Sequence, residues 1–180
     1  MLRIAIVGNI ASGKSTVEEI LKMKGFKVYD TDKMAHEILE KSYEIKEIFG
    51  TNLRSEIAKI VFNDKEKLAL LESIIHPQVK NVLLEIFANN EDVLFVSVPQ
   101  LFESGLDTLF DKKIFITADK DIRLKRLMER NSFSRKEALV RINAQDDYGK
   151  KEKCDFVIEN NSDLDLLKLK VEEVLSILIR

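Results

Sequence analysis

The chain has 180 residues, 45% hydrophobic and 33% charged, with 29 Lys+Arg against 31 Asp+Glu and a net charge of -2. Such a length and mixture suit one well-packed domain, and the charge balance excludes a general attraction for nucleic acid or an anionic membrane surface. Any anionic ligand must therefore meet locally placed cations, and a small-molecule partner is expected.

Cys154 is the only cysteine, which excludes an internal disulfide and a cysteine-built zinc site and reads as a small apolar filler before a strand. No apolar run reaches the length of a membrane span. The segment before Gly8 is too short for a signal peptide, so a cytoplasmic protein is expected.

Strands and helices alternate from the start, the mark of a parallel α/β sheet. Residues 3–7 form an apolar run suited to a strand buried on both faces. A helix is predicted over 16–24, stopped by Gly25, and a short strand over 27–30. From 31 to 88 the reading is nearly all helix: Asn63-Asp64 caps a helix over 65–75, and His76-Pro77 interrupts before 79–87. A buried strand follows over 93–98, closed by Pro99, then another over 113–117. A very basic helix is predicted over 119–130, and Ser134-Arg135-Lys136-Glu137 opens a further one to about Gln145 by a capping box. Residues 156–159 make a last strand, and 163–179 an amphipathic closing helix with Leu167, Val171, Val174, Leu175 and Leu178 on one face. The chain thus reads as one domain over 1–180, with a helical insert over 31–90 and a basic helical pair over 123–150.

Gly8-Asn9-Ile10-Ala11-Ser12-Gly13-Lys14-Ser15, followed by Thr16, matches the phosphate-loop pattern G-x-x-x-x-G-K-[ST]. Such a loop wraps backbone N–H groups around phosphate oxygens, and Gly8 and Gly13 allow the backbone angles this needs. Lys14 would reach the β- and γ-phosphates of ATP, and the Ser15 hydroxyl would hold Mg²⁺. The start of the following helix adds its positive dipole end. The match falls after a buried strand and at a helix start, where the physics requires it.

The loop alone does not choose among ATPase, GTPase and kinase. No Asn-Lys-x-Asp run is present to read guanine. Asp146-Asp147-Tyr148-Gly149 spells D-x-x-G but follows a helix, and reads as a coincidence. The strand over 93–98 ends in Pro99-Gln100 and not in a metal-holding Asp. Three features favour phosphoryl transfer to a small acceptor. Asp30 and Asp32 follow the second strand, where they would orient an acceptor hydroxyl or cap a turn and helix. Arg123, Lys125, Arg126, Arg130, Arg135 and Arg141 cluster in the basic pair, as a mobile lid over a triphosphate would need or as a solvated face would show. The insert lies where an acceptor lobe could form. His36, one helical turn from Asp32, is near enough to touch an acceptor, whereas His76 before Pro77 either orders a helix junction or bridges to substrate.

These residues resemble the dephospho-CoA kinase family. The matching pieces run in order: Gly8 to Ser15, Tyr29-Asp30-Thr31-Asp32 with Ala35-His36-Glu37, Phe49-Gly50, Arg54 with Val61-Phe62, His76-Pro77, Val98-Pro99-Gln100-Leu101-Phe102-Glu103, Arg126-Leu127 with Arg130, Arg141-Ile142 with Gln145, and Asp155-Phe156-Val157-Ile158-Glu159-Asn160. The chain departs from the family's pattern at Asn9 and Ala11, where glycine is usual, in a shortened stretch between Gly50 and Arg54, and at Ser162.

The resemblance implies a three-layer P-loop kinase with a five-stranded parallel sheet of order 2-3-1-4-5, and transfer of the γ-phosphate of ATP to the 3′-hydroxyl of dephospho-CoA. It implies Asp32 as the carboxylate that accepts the hydroxyl proton, with Lys14, Arg130 and Arg141 meeting phosphate charge. Residues 8–16 would bind ATP, with Asn160 in an adenine-facing loop. Asp30, His36, His76 and Glu103 would join Asp32 on the acceptor side. A kinase for nucleosides or nucleoside monophosphates, or a nucleotide-holding regulator without an acceptor, shares the same loop and remains open on the residues alone.

Overall fold

The computed structural model describes residues 1–90, 92–144 and 149–179. It divides into two compact units, Met1–Tyr29 with Val93–Arg180, and Asp30–Asp92.

The first unit is built on the apolar strands. β1 (Leu2–Gly8), β3 (Val93–Ser97), β4 (Lys112–Thr117) and β5 (Phe156–Glu159) join β2 (Lys27–Asp30) in one five-stranded sheet of order β2-β3-β1-β4-β5. The strands pair in parallel, with Ile4 opposite Phe95, Ile6 opposite Ile114 and Ile116 opposite Ile158. Continuous runs such as Ile4-Ala5-Ile6-Val7 are needed because a parallel sheet is covered on both faces, and all four of those side chains are buried. α1 (Lys14–Met23) and α8 (Leu164–Leu178) pack together, and Val17, Ile20 and Leu21 share one core with Leu167, Val171 and Leu175. Phe26 meets Phe95 edge-on, with ring centroids 5.3 Å apart.

Carboxylates extend the ladder where strands enter the sheet. Asp111 accepts the backbone N–H of Arg3 at 2.8 Å and donates its own to Arg3 O at 2.9 Å. Asp155 repeats the pattern with Lys113, at 2.9 Å in each direction. Both acids stand just before a strand, so each fixes that strand's register against its neighbour.

The basic pair is α6 (Lys120–Asn131) and α7 (Arg135–Asn143), with Ser134 and Glu137 closing the expected capping box. Their shared core is Leu124, Leu127, Ala138 and Ile142, against which Ile10 and Ala11 of the phosphate loop also pack. Of the clustered cations, Arg123 is buried and so does not belong to a solvated face. Gln145 and the D-x-x-G residues Asp146, Asp147 and Tyr148 lie outside the described residues.

The second unit is helical throughout: α2 (Thr31–Lys41), α3 (Tyr43–Phe49), α4 (Arg54–Val61) and α5 (Lys65–Ala88). α2 packs along α5, and Asp64 caps α5 by accepting the N–H of Lys67 at 3.0 Å. The interruption expected at His76-Pro77 is not there, for α5 runs unbroken through Pro77. Proline removes one N–H and crowds the preceding turn. The lost bond is the one to Ser73 O, the Gln78 side chain adds a separate bond to Ile74 O at 3.1 Å, and Ile74, Ile75, Val79 and Leu83 bury the helix on both sides of the proline. Packing outweighs one lost bond. Among the described residues no helix is long and apolar enough to cross a membrane.

Candidate active site

The phosphate loop leaves the C-terminal end of the central strand β1 and enters α1 directly. Asn9 N donates to Ile116 O at 3.2 Å, so the chain stays in register with β4 for one residue beyond the strand. The loop then turns, with Ser12 N on Asn9 O at 3.0 Å, and the helix begins on Gly13, whose carbonyl takes the N–H of Thr16 at 3.0 Å and of Val17 at 3.2 Å. α1 therefore starts at Lys14, ahead of the expected residue 16, which brings Lys14, Ser15 and Thr16 into its first turn.

Both motif glycines are structurally required. Gly13 has φ +93°, and a Cβ there would stand 2.1 Å from Asn160 Nδ2. A Cβ on Gly8 would meet Ile116 O and Ser12 Oγ at 2.9 Å. Ala11 also takes a left-handed turn, with φ 59°, a conformation that costs a residue with a Cβ about 1 kcal/mol. The packing of the Ala11 methyl on the core of the basic pair works against that cost. Asn9 points its amide at Thr117 Oγ1, 3.4 Å away.

Two side chains brace the loop from outside. Asn160 is buried and donates from Nδ2 to Ser12 O at 2.8 Å. Arg126 reaches the same carbonyl at 3.4 Å and Asn160 Oδ1 at 3.5 Å. With Ser12 O held in this way, the N–H groups of Lys14 and Ser15, which have no acceptor within the helix they open, are the ones suited to a ligand. Ser12 Oγ is buried with no hydrogen-bond partner among the described residues, which suits a cradle whose acceptor groups arrive with the ligand. Lys14 Nζ donates to Glu18 Oε1 at 2.9 Å and to Ser97 Oγ at the end of β3. Ser15 is exposed on the first turn. Among the described residues no group of three His, Cys, Asp or Glu could hold a metal by itself.

The remaining candidates separate. Arg126 lies against the loop, whereas Arg130 is exposed with Nε on Asn131 Oδ1 at 2.9 Å, and the Arg141 guanidinium sits 4.5 Å over the Phe133 ring. Residue type and helical spacing did not distinguish Arg126 from the other cations; only its closeness to Ser12 does. Glu103 takes the Lys150 ammonium, and Lys153 lies 5.3 Å over the Phe102 ring, so the stretch after β3 is tied to residues 150–153. In the second unit, Asp30 caps α2, accepting from Asp32 N at 2.9 Å and Lys33 N at 3.4 Å. Asp32 is exposed on the first turn. His36 Nε2 is 3.2 Å from Glu40 Oε1, and its buried Nδ1 has no hydrogen-bond partner among the described residues. His76 is half-buried inside α5. A cavity of about 320 Å³ opens beside α2 and α5 among Met34, Ile38, Lys41, Gln78 and Val82.

A phosphate loop on the central strand of a β2-β3-β1-β4-β5 parallel sheet, followed by a helical insert and a basic helical pair, defines the class of P-loop kinases. Comparison with known proteins narrows it. The family model described as dephospho-CoA kinase matches residues 2–165, and the chain belongs to that family. It is 43% identical to a dephospho-CoA kinase of Fusobacterium nucleatum, over 94% of each chain. Its structure is similar to a solved dephospho-CoA kinase from Campylobacter jejuni, at 33% identity and TM-score 0.75, covering 97% of this chain and 95% of that one. It is also similar to a solved Thermus thermophilus protein, at 35% identity and TM-score 0.85, covering 98% and 97%.

Proposed function

We propose that the chain transfers the γ-phosphate of ATP to the 3′-hydroxyl of dephospho-CoA, giving coenzyme A and ADP. The observation that carries this reading is the braced loop: Gly13 turned to φ +93° against Asn160, with Lys14 at the head of α1, in a member of the dephospho-CoA kinase family. ATP is the phosphoryl donor expected of such a kinase, and a cytoplasmic setting suits it.

In the proposed reaction the 3′-oxygen attacks the γ-phosphorus and the bond from that phosphorus to the β–γ bridging oxygen breaks. The hydroxyl proton passes to the Asp32 carboxylate. Asp32 is exposed at the start of α2, and Asp30 orients it by holding the Asp32 N–H. The transition state is loose, so positioning and charge stabilisation matter more than base strength. Lys14 meets the charge on the β- and γ-phosphates, and Asn160 with Arg126 keeps the loop open-handed toward them. Ser15 would hold Mg²⁺ together with phosphate oxygens of the nucleotide, and the ion would supply further neutralisation of phosphate charge. Arg130 and Arg141 supply charge from the basic pair. On the acceptor side, His36 offers its Nδ1, and His76 and Glu103 are assigned binding contacts.

Release of ADP measured with and without dephospho-CoA, beside a panel of nucleosides and nucleoside monophosphates, tests the reading. ADP release that depends on dephospho-CoA is expected. Preference for a nucleoside, or release indifferent to any acceptor, would overturn it.

A further inference from the structure

The lysine of the phosphate loop is already engaged by an anion of its own chain. Lys14 Nζ donates to Glu18 Oε1 at 2.9 Å and to Ser97 Oγ. Glu18 lies one turn further along α1 and is only 8% exposed, and Ser97 is wholly buried. A carboxylate is seldom buried without a demand for it, because desolvation disfavours the charge. Helix stabilisation does not supply that demand, since Lys followed by Glu at i,i+4 is the weaker order of such a pair. Glu18 is not marked in the sequence, for the motif ends at Ser15 and nothing in spacing points to a carboxylate beyond it.

We propose that Glu18 is a built-in counter-ion that competes with nucleotide phosphates for Lys14 and so sets the affinity for ADP and ATP, acting as a positioning residue through the lysine. The inference rests on the reading of residues 8–16 as the nucleotide's phosphate loop. An ammonium group has three donors, and two are directed at Glu18 and Ser97. One donor is left for a first phosphate oxygen, and any second contact must draw a donor away from Glu18 or Ser97. Glu18 cannot follow or leave, being anchored four residues from Lys14 on the same rigid helix. Its negative charge then remains beside a bound polyphosphate, in a site dry enough for the repulsion to count. Both ADP and ATP bring a β-phosphate to the lysine, so both should be weakened together. The consequence for turnover is that Glu18 keeps product from being held as tightly as the loop alone would hold it. Ser97 contributes a neutral acceptor that steers the ammonium toward the end of β3, and its loss removes no charge.

Titration calorimetry with magnesium-ADP and a magnesium-bound non-hydrolysable ATP analogue tests this on the full chain, together with KM for ATP and kcat. Glu18→Gln keeps the size and an acceptor oxygen while removing the charge, and it should tighten both nucleotides about five-fold or more. KM for ATP should fall by a similar factor with no gain in kcat. Glu18→Ala, which suits a helix well, should act in the same direction, so the result does not hang on the folding of one variant. Glu18→Asp, which keeps the charge, should stay within about two-fold of the parent. Parent-like or weaker binding in the Gln and Ala variants overturns the role of Glu18. Failure of the parent itself to bind either nucleotide would instead strike the phosphate-loop reading on which the inference stands.

Discussion

The two units treat their chemical groups differently. In the unit that holds the phosphate loop, three groups of the cradle are fixed by neighbours, Ser12 O by Asn160 and Arg126, Asn9 by Ile116 and Thr117, and Lys14 by Glu18 and Ser97, while Ser12 Oγ has no partner among the described residues. The helical unit fixes its groups less uniformly: Asp32 is exposed on the first turn of α2, His36 is half-buried beside Glu40, and His76 is half-buried inside α5. Charge stabilisation requires dipoles and cations set in advance in a dry frame, whereas choice among acceptors can rest on surface side chains of amphipathic helices. The comparison predicts that substitutions in the loop damage catalysis without regard to acceptor, and that substitutions in the helical unit act through the acceptor.

The largest effect is expected at Lys14. Lys14→Ala should lower kcat/KM by about a thousand-fold or more, as loss of preorganised charge at a transferring phosphoryl group does. The fold should persist with a lowered melting temperature, because the substitution spares the apolar core but leaves the buried Glu18 carboxylate and Ser97 hydroxyl without the ammonium. Turnover near the parent level would break the assignment of the loop.

Next come the two aspartates that open α2. Asp32→Asn keeps the shape and removes the proton affinity, and should cut kcat by about a hundred-fold with ATP affinity unchanged. Asp30→Asn should be much milder, for asparagine caps a helix about as well as aspartate. Asp30→Ala removes the cap as well and should cost stability of about 1 kcal/mol. Equal loss of kcat in Asp30→Asn and Asp32→Asn would show that both carboxylates meet the reaction directly.

A smaller effect separates the arginines. Arg126→Ala should lower kcat about ten-fold and also weaken ATP binding, because it removes a brace from Ser12 O. Arg130→Ala and Arg141→Ala should lower kcat with ATP binding kept, if their charge serves only the transferring phosphoryl group. Arg135, beside the capping Ser134, should tolerate the change. Three silent variants among Arg126, Arg130 and Arg141 would reduce the basic pair to a solvated face.

Much of this arrangement is legible in the sequence, and unevenly so. The phosphate loop is a local device, since a strand, a tight turn and a helix start are contiguous in the chain. Pattern alone therefore locates Gly8, Gly13, Lys14 and Ser15. The parallel sheet is legible because strands covered on both faces need unbroken apolar runs. What escaped reading depends on contacts across long separations. Asn160 and Arg126 meet at Ser12 from positions 148 and 114 residues away, and no spacing rule reports that. Continuity of α5 through Pro77 was hidden for a related reason, because burial of Ile74, Ile75, Val79 and Leu83 outweighs a local breaker. Asp30 reads equally well as a ligand or a cap, and its bonds to Asp32 N and Lys33 N favour the cap.

The smallest effect concerns the frame and not the chemistry, and it sharpens the comparison by touching only the sheet unit. The Asp111 carboxylate takes Arg3 Nε at 3.0 Å and Nη2 at 2.9 Å as well as the Arg3 N–H at 2.8 Å. The side-chain bonds from Arg3 hold Asp111 below its ordinary carboxylate pKa, against the opposing effect of partial burial. A carboxyl group whose pKa is lower folded than unfolded contributes stability that is present above the unfolded value, near 4, and is lost as pH falls through the folded value. Asp111→Asn should therefore destabilise the protein at neutral pH by about 1 kcal/mol, a modest figure because the pair is partly solvent-screened. The parent and variant denaturation curves should converge only as pH falls from the unfolded carboxylate range down through the lowered folded value of Asp111, where the folded parent's carboxyl is itself protonated. Kinetic constants measured at 25 °C should not change, since the clip lies at the end of β1 opposite the phosphate loop. A pH-independent gap between the two curves would mean that the bond to the Arg3 N–H, which asparagine can also accept, is not what the charge reinforces.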